Sequence, residues 1–201
     1  MMLKRVFDFF GTACGLLILA PLFIAVGLAV ALGSRGPVFF RQTRIGRYGV
    51  PFRIFKFRTM TGAEPTAGPV LTIGDNPRVT PLGHLLRESK IDELPQLFNV
   101  LVGDMSLVGP RPEVPKYVEK WTPAQREIVL SVRPGLTGPA SIKFRDQTAL
   151  LAQYADPEAA YIDIIMPEKL EICAAYIRSA TFATDLRLIF QTLLAVLRLT
   201  R

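Results

Sequence analysis

Residues 9–32 read FFGTACGLLILAPLFIAVGLAVAL, a run without a charged side chain. About 20 apolar residues are enough for a helix to cross a bilayer, and this run is longer. Its apolar part is too long for a cleaved secretion signal, and no clear small-residue cleavage site precedes a polar mature start. Half of the 201 residues are hydrophobic, so the composition also favours a protein that is inserted in a membrane.

The flanks of this run, and Pro21 near its middle, argue against a simple crossing. Basic residues lie on both sides: Lys4 and Arg5 before it, and Arg35, Arg41, Arg44 and Arg47 after it. Basic flanks favour the cytoplasmic side, and a proline inside a helix removes a hydrogen bond and bends the chain. We therefore predict that residues 1–35 form a re-entrant helix hairpin, with a kinked straight crossing as the alternative. Asp8 is expected to pair with Lys4 or Arg5.

Residues 36–201 read as one mixed α/β domain, mainly helical with a small sheet, at the cytoplasmic face. Two strand-like runs at 38–41 and 52–57 flank a link with glycine and proline, which predicts a hairpin. The stretch 61–76 is predicted to be a long mobile loop. Helices are predicted at 82–89, 95–101, 114–120, 123–131, 147–154, 157–165, 167–179 and 184–199. The last of these is apolar with interspersed arginines, so it can lie in the membrane interface or in the core.

The charge balance restricts the partners. The net charge of +7 favours an anionic partner such as anionic membrane lipid or a phosphorylated small molecule. No basic face with interleaved aromatic residues is seen, so nucleic acid is not expected. Two cysteines exclude a disulfide framework, and the single His84 excludes a histidine-based triad or a site with several histidines.

The segment SKIDELPQLFNVL (89–101) holds two adjacent carboxylates, Asp92 and Glu93, before a helix whose first turn contains Pro95. Residues of these types are common at helix starts. The same place also keeps a carboxylate ionised and attracts phosphate. An ionised aspartate beside phosphorus is a nucleophile, and a neighbouring carboxylate helps to hold Mg²⁺. We predict Asp92 and Glu93 as catalytic and metal-binding residues.

Basic side chains beside turn-forming residues surround this pair in the sequence. Arg111 lies between two prolines in GDMSLVGPRPEVP (103–115), so its guanidinium is well placed to bind phosphate. Alternation along a strand places Lys56 and Arg58 on one face. The predicted substrate-binding residues are Lys56, Arg58, Arg78, Arg87, Arg111 and Arg133. Each of these charges alone is more typical of a solvated surface than of a binding site.

The motifs together resemble the bacterial sugar transferase family, the monotopic phosphoglycosyl transferases. The resemblance is carried by KRVFDFFG, GPVFFRQTRIG, FRIFKFRTM, RPGLTG and the block TPLGHLLRESKIDELPQLFNVLVGDMSLVGPRPE, with IMPEKL and TDLRLIFQTL similar to the family's tail. It implies transfer of a sugar-1-phosphate from a UDP-sugar to polyprenyl (undecaprenyl) phosphate, which gives polyprenyl-diphospho-sugar and UMP. This is the first membrane step of exopolysaccharide or glycoconjugate synthesis, on the cytoplasmic face of the bacterial inner membrane.

The resemblance also implies a role for individual residues. Asp92 would carry the covalent phospho-sugar, Glu93 would complete the acidic pair with Mg²⁺, and Arg111 would contact phosphate. The chain departs from the family pattern at Ala20, where relatives carry serine before the hairpin proline, so the bend would rely on Pro21. It also has Ser141 in the stretch after RPGLTG, where many relatives have glutamine. A hydrolase of lipid diphosphates and a membrane scaffold are the competing functions.

Overall fold

The computed structural model describes residues 2–62 and 76–199, and it is a mainly helical α/β fold. The elements in chain order are α1 Met2–Gly33, β1 Phe39–Ile45, β2 Pro51–Phe57, α2 Pro81–Glu88, α3 Gln96–Val102, β3 Ser106–Val108, α4 Pro115–Val118, α5 Pro123–Val129, β4 Gly135–Thr137, α6 Pro139–Lys143, α7 Gln147–Leu151, α8 Pro157–Ala160, α9 Met166–Ser179 and α10 Phe182–Leu199. Most of the predicted loop at 61–76 lies outside the described residues. The predicted fold class is confirmed.

Helix α1 holds the apolar run and keeps its side chains largely exposed. Residues Leu3–Gly33 are long and apolar enough to cross a membrane, and only 11% of the most apolar window is buried. Leu17 and Ile18 are each 77% exposed, which suits contact with lipid rather than water. The helix runs without interruption past Ala20, with Pro21 inside it, so the re-entrant hairpin stays a prediction.

Both halves of α1 are attached to the rest of the domain through arginines at helix ends. Arg5 donates to the carbonyls of Val100 at 2.6 Å and Leu101 at 2.9 Å, at the C-terminal end of α3. Arg58 donates to the carbonyls of Val30 at 3.0 Å and Ser34 at 2.7 Å, at the end of α1. Carbonyls in the last turn of a helix have no i+4 amide within the helix to bond to, so they are available as acceptors for these guanidinium groups.

Asp8 is buried and does not pair with its basic neighbours. Its carboxylate accepts hydrogen bonds from Ser106 Oγ at 2.8 Å and from the Leu107 amide at 3.2 Å. The predicted pairing is therefore wrong, because Arg5 is occupied at α3 and Lys4 forms an ion pair with Asp185 of α10. Asp8 joins α1 to the start of β3.

We expect Asp8→Ala to destabilise the protein, because it leaves a buried hydroxyl and a backbone N–H without their acceptor. The expected cost is about 2–3 kcal/mol, or a fall of roughly 4–10 °C in the melting temperature. Thermal unfolding in nanodiscs measures it. Asp8→Asn is the matched control, because the amide oxygen still accepts one bond and should retain part of the stability. Equal melting temperatures for the wild type and Asp8→Ala would contradict this role.

The predicted hairpin is confirmed and is longer than expected. Strands β1 and β2 pair antiparallel from Phe39 opposite Phe57 to Ile45 opposite Pro51. Phenylalanine rings from both strands stack on each other and on Phe23 of α1, with centroids 5.5 Å apart for Phe39 and Phe57 and 5.4 Å for Phe23 and Phe57. The second half of α1 is thus packed against the hairpin.

The predicted helices are present, and they differ from the prediction mainly in the residues at which they begin and end. The segment 157–165 divides into α8 and a π-helical turn at Tyr161–Ile165. The sequence reasoning missed helix α6 and the parallel pair of β3 and β4, which align Ser106 with Gly135 and Val108 with Thr137. The strands lie so close that a Cβ on Gly135 would be 2.0 Å from the Gly109 nitrogen, which explains glycine there.

One face of helix α10 packs in the core, and its placement in the membrane interface stays a prediction. One face packs against β3, β4 and α9 through Leu188 and Thr192, and Thr192 shares a hydrogen bond of 2.6 Å with Thr137. The other face exposes a row of large hydrophobic side chains, namely Phe182, Leu186, Phe190, Leu193 and Leu194. Phe182 contacts Phe7 of α1 with ring centroids 5.1 Å apart, so this apolar face adjoins α1.

Candidate active site

The carboxylate pair lies in a tight turn between α2 and α3. Asp92 and Glu93 occupy a 3₁₀ turn, Ile91–Glu93, which Lys90 enters with a left-handed backbone (φ 59°). Helix α3 begins only at Gln96, with Pro95 as its N-cap. The predicted helix is therefore present, but its start is one residue later than expected. Asp92 is 7% exposed, so both carboxylates are held in a largely dehydrated place.

Glu93 is clamped by two cations. Its Oε1 accepts from Lys56 Nζ at 2.8 Å, and its Oε2 accepts from Arg111 Nη1 at 2.9 Å. Arg111 Nη2 also donates to Oε1, so the guanidinium and the carboxylate form a two-pronged pair. Such pairs fix geometry as well as charge. Across residues 2–62 and 76–199, no group is found that donates a hydrogen bond to the Asp92 carboxylate.

The two carboxylates differ in their protonation behaviour. Burial opposes ionisation of Glu93, yet Arg111 and Lys56 hold its pKa well below the usual range. Burial raises the pKa of Asp92, the neighbouring Glu93 raises it further, and Lys56 opposes both. The helix that was predicted to keep Asp92 ionised begins only at Gln96, and ionisation of Asp92 stays a prediction. The nearby cations, chiefly Lys56, favour the charged form of Asp92 instead.

Lys56 is placed by strand β2, and Asn99 of α3 fixes that strand. The fully buried Asn99 accepts from the Phe55 amide at 3.0 Å and donates to the Arg53 carbonyl at 2.9 Å. These two bonds replace the backbone hydrogen bonds that a neighbouring strand would form with this edge of β2. Because they tie β2 to the helix that follows Glu93, Lys56 comes within bonding distance of Glu93.

Arg111 lies on a rigid backbone between β3 and α4. The Pro110 carbonyl accepts from the Gly135 amide at 2.8 Å, and the Pro112 carbonyl accepts from Arg44 Nη1 at 3.2 Å. Prolines on both sides also fix their own φ angles. The predicted placement of Arg111 at the acidic pair agrees with the geometry, because its guanidinium reaches Glu93 directly.

The structure brings only part of the predicted basic set to the acidic pair. Arg87 is close enough to Asp92 to interact electrostatically, and its Nε donates to Thr59 Oγ1 at 2.9 Å. Three others bond to backbone carbonyls elsewhere: Arg58 at the end of α1, Arg78 at the Gly62 carbonyl (3.0 Å) and Arg133 at the Gly103 carbonyl (2.7 Å). These contacts give those three a structural role, and phosphate binding by them stays a prediction.

Glu113 is a half-buried acidic residue that the sequence analysis did not single out. Its carboxylate accepts from the Val114 amide at 2.9 Å, from Arg44 at 3.4 Å and from the Tyr161 hydroxyl. The backbone of Glu113 pairs with that of Ile45, because the Ile45 amide donates to the Glu113 carbonyl at 2.9 Å. The signal was its place two residues after Arg111 in GPRPE. This network anchors the segment that carries Arg111.

The acidic pair suits Mg²⁺ that is shared with a phosphate ligand. In the described residues, no cluster of three or more histidine, cysteine or carboxylate side chains could hold a metal alone. Mg²⁺ is commonly held by one or two carboxylates plus phosphate oxygens. Asp92 has unoccupied lone pairs, and three of about four lone-pair positions on Glu93 are taken by Lys56 and Arg111. Asp92 and the remaining position of Glu93 therefore fit such an ion.

Fold and site together define a small helical α/β protein in which an acidic pair lies between cations, beside an apolar N-terminal helix. The chain belongs to the bacterial sugar transferase family, whose model matches residues 1–199. It is similar to the UDP-glucose:undecaprenyl-phosphate glucose-1-phosphate transferase of Escherichia coli K12, with 37% identity over 95% of this chain and 39% of that protein.

Two other relatives show the same similarity. A UDP-N-acetylgalactosamine-undecaprenyl-phosphate N-acetylgalactosaminephosphotransferase of Aeromonas hydrophila is 34% identical over 97% of this chain and 44% of its own length. An uncharacterized sugar transferase of Bacillus subtilis is 38% identical over 98% of this chain and 88% of its own length. The chain spans about two fifths of the length of the glucose-1-phosphate transferases of Klebsiella pneumoniae and Escherichia coli that it matches.

Proposed function

We propose that this protein transfers a sugar-1-phosphate from a UDP-sugar to polyprenyl phosphate, with Mg²⁺ and a covalent phospho-sugar on Asp92. The products are polyprenyl-diphospho-sugar and UMP. This class of reaction supplies lipid-linked sugars for polysaccharide synthesis, and the names of the relatives from Escherichia coli and Aeromonas hydrophila describe it for those proteins.

The observation that carries the proposal is the difference in contacts between the two carboxylates of the acidic pair. Glu93 is engaged by Arg111 and Lys56, whereas the adjacent Asp92 accepts no hydrogen bond from the described residues. A carboxylate that is already bound to two cations is a poor nucleophile, because its lone pairs are occupied. Asp92 has free lone pairs beside cations that attract a diphosphate, which is the arrangement that nucleophilic attack on phosphorus requires.

In the first step, an Asp92 oxygen attacks the phosphorus that carries the sugar. A bond forms between that oxygen and phosphorus, the bond from phosphorus to the bridging oxygen breaks, and the electron pair leaves with UMP. Lys56 and Arg111, which both bond to the neighbouring Glu93, would offset the charge that develops on the phosphorus oxygens. Their positions are fixed beforehand by Glu93, so little reorganisation is needed during the reaction.

In the second step, a phosphate oxygen of polyprenyl phosphate attacks the same phosphorus. The bond to Asp92 breaks, the carboxylate is regenerated, and the sugar is left on the lipid diphosphate. Bound Mg²⁺ would supply positive charge to the phosphate groups. Asp92 and the remaining Glu93 position would hold it, while Arg87 adds positive charge near Asp92.

The proposed acceptor explains why the site is mounted on α1. A polyprenyl tail stays in the bilayer, so the acidic pair has to lie at the height of the lipid headgroups. Arg5 and Phe23 both reach α3, Arg5 through the Val100 carbonyl and Phe23 through Phe98, with ring centroids 5.7 Å apart. A straight helix would separate the two residues by about 27 Å, whereas α3 is only about 10 Å long. This supports a bend near Pro21 and both ends of α1 at the cytoplasmic face of the inner membrane.

The exposed face of α10 supports the same mounting. Its large apolar side chains adjoin α1 through the contact between Phe182 and Phe7. A continuous apolar surface on two helices suits insertion into the headgroup region. The basic residues near α1 would then meet anionic lipids, which attract lysine and arginine next to a membrane.

We expect cysteines at positions 3 and 35 to be labelled from the same side of the membrane. The positions are chosen because both are exposed. Leu3→Cys and Arg35→Cys are made in a protein without its own two cysteines. A membrane-impermeant thiol reagent is added to right-side-out and inside-out vesicles. The bent arrangement predicts labelling of both only in inside-out vesicles. Labelling of the two positions from opposite sides would show a straight crossing.

The direct test of the proposed function is a screen of UDP-sugars with polyprenyl phosphate in nanodiscs. We expect UMP and a lipid-linked sugar to appear in equal amounts with at least one donor. Release of free sugar phosphate without a lipid-linked product would identify a hydrolase instead. A protein that releases no UMP with any donor, and whose membrane binding is unaffected by changing Asp92, would be a scaffold.

A further inference from the structure

A narrow cavity lies beside Arg111 and has no role in the steps described above. It is lined by Arg111, Glu113, Trp121, Tyr161 and Lys169, with apolar wall from Met166; we call it the Trp121 cavity. Arg111 is shared between this cavity and the acidic pair, since its guanidinium bonds to Glu93. A ligand whose phosphates contact Arg111 is therefore close enough to place a neighbouring group in the cavity.

The Trp121 cavity contains a buried donor without a partner. Trp121 is 7% exposed, and its Nε1 makes no hydrogen bond with the residues that the structure describes. Buried tryptophans usually find an acceptor for this N–H group, and a buried donor that lacks one is destabilising. An unpaired N–H on a cavity wall, next to a substrate-binding arginine, indicates a group that is satisfied when a ligand is bound.

The other polar groups of the cavity add donors but offer little acceptor capacity. Both oxygens of Glu113 already accept, from Val114 and Arg44 on one side and from Tyr161 on the other. Lys169 Nζ donates to Gln147 Oε1 at 3.0 Å and lies 3.5 Å from the Tyr161 hydroxyl. An ammonium group carries three protons, so Lys169 keeps donor capacity. A matching ligand has to supply acceptor oxygens.

We propose that the Trp121 cavity binds a carbonyl group of the nucleotide sugar, with Trp121 Nε1 and Lys169 Nζ as the donors to its oxygen. The inference rests on the proposed function and adds a specificity site to it. Aromatic and aliphatic walls suit a flat group, and the cavity volume of about 30 Å³ admits little more than the carbonyl itself. Two parts of a UDP-sugar carry such a carbonyl: the uracil ring and the acetamido substituent of an N-acetylated sugar.

The cavity then selects by the direction of hydrogen bonding. At ring position 4, uracil presents a carbonyl oxygen, whereas cytosine presents an amino group, which is a donor. Two donors that face each other leave both unsatisfied in a buried place, and sites of this kind discriminate strongly. The same reasoning applies to an acetamido group compared with a plain hydroxyl, although a hydroxyl can still accept and would be disfavoured less.

Trp121→Phe tests the proposal, because it removes the N–H group and keeps an aromatic ring. Affinities of UMP, CMP, UDP-glucose and UDP-N-acetylglucosamine are measured by calorimetry on the full chain in nanodiscs with Mg²⁺. Loss of one hydrogen bond to a buried carbonyl should weaken the matching ligand about tenfold. Weaker UMP binding with CMP unchanged assigns the cavity to uracil. Weaker binding of UDP-N-acetylglucosamine alone assigns it to the acetamido group.

Lys169→Met provides a second, independent variant, because the side chain keeps its length and loses all donors. It should weaken the same ligand as Trp121→Phe, which guards against a folding defect in either variant. Unchanged affinities for all four ligands in both folded variants would overturn the proposal and leave the cavity to water. If the wild type binds none of the four ligands, the proposed function itself fails.

Discussion

Asp92→Asn is expected to abolish UMP release and any covalent phospho-sugar on the protein. An amide cannot form the acyl phosphate that the first step requires, and loss of an essential nucleophile commonly lowers turnover by about 10³-fold or more. The change is nearly isosteric, so the turn at Ile91–Glu93 and the Glu93 clamp should persist. The measurement is mass spectrometry of protein quenched after mixing with UDP-sugar in the absence of polyprenyl phosphate. A sugar-phosphate mass is expected on the wild-type peptide that contains Asp92.

Glu93→Gln separates the roles of the two carboxylates. A glutamine still accepts a hydrogen bond from Lys56 or Arg111, but its amide has no charge to neutralise theirs. The two cations therefore lose their fixed positions. We expect slower turnover with the adduct still on Asp92, and partial recovery with added Mg²⁺. An adduct that persists in Asp92→Asn, or that maps to Glu93, would contradict the assignment. Turnover that needs both substrates at once, with no adduct, would make Asp92 a base or a metal ligand.

The sequence was sufficient for the features that depend on local chemistry. The link with glycine and proline between two aromatic runs predicted the β1–β2 hairpin, because turn residues and alternation act within a few positions. The adjacent carboxylates followed by Pro95 predicted the start of α3, which lies one residue later. Lys56 and Arg111 were predicted to bind substrate, and both lie beside the pair because Glu93 bonds to both; binding of substrate by them stays a prediction.

The features that the sequence did not predict depend on long-range contacts. Arg58 and Arg133 looked like phosphate ligands, yet each guanidinium lies on backbone carbonyls that only the folded chain brings near. The three-residue strands β3 and β4 carry too few residues to show a period, and their pairing joins segments far apart in the chain. Asp8 also had two basic neighbours in sequence and found its partners in β3.

Helix ends explain much of this difference. An arginine needs several acceptor oxygens, and the last turn of a helix offers carbonyls without partners. Arg5 at α3 and Arg58 at α1 both use this possibility. A sequence pattern cannot separate such an arginine from one that binds phosphate, because both require exposed planar donors near a turn. The distinguishing property is the partner, and the partner of Arg111 is a carboxylate next to Asp92.

Arg111→Ala is therefore expected to impair the use of nucleotide sugar strongly while the fold persists. The change removes a phosphate-binding guanidinium and leaves Glu93 with Lys56 as its remaining cation. Truncating one partner of a buried charge pair costs about 2–5 kcal/mol. Because the Arg111 side chain is 35% exposed to solvent, we expect a cost in the lower part of this range. A loss of about 2–3 kcal/mol corresponds to roughly 30- to 150-fold in kcat/KM.

Arg111→Lys and Arg126→Ala are the informative comparisons. Lysine keeps the charge but cannot donate two parallel bonds to Glu93, so it should recover only part of the activity. Arg126 in α5 bonds to the carbonyls of Val118 and Glu119 and lies outside the proposed site, so its loss should leave kcat/KM close to the wild-type value. Melting temperatures of all three variants establish that they are folded. Wild-type turnover in folded Arg111→Ala would remove this residue from the site, and the Glu93 clamp would then serve stability alone.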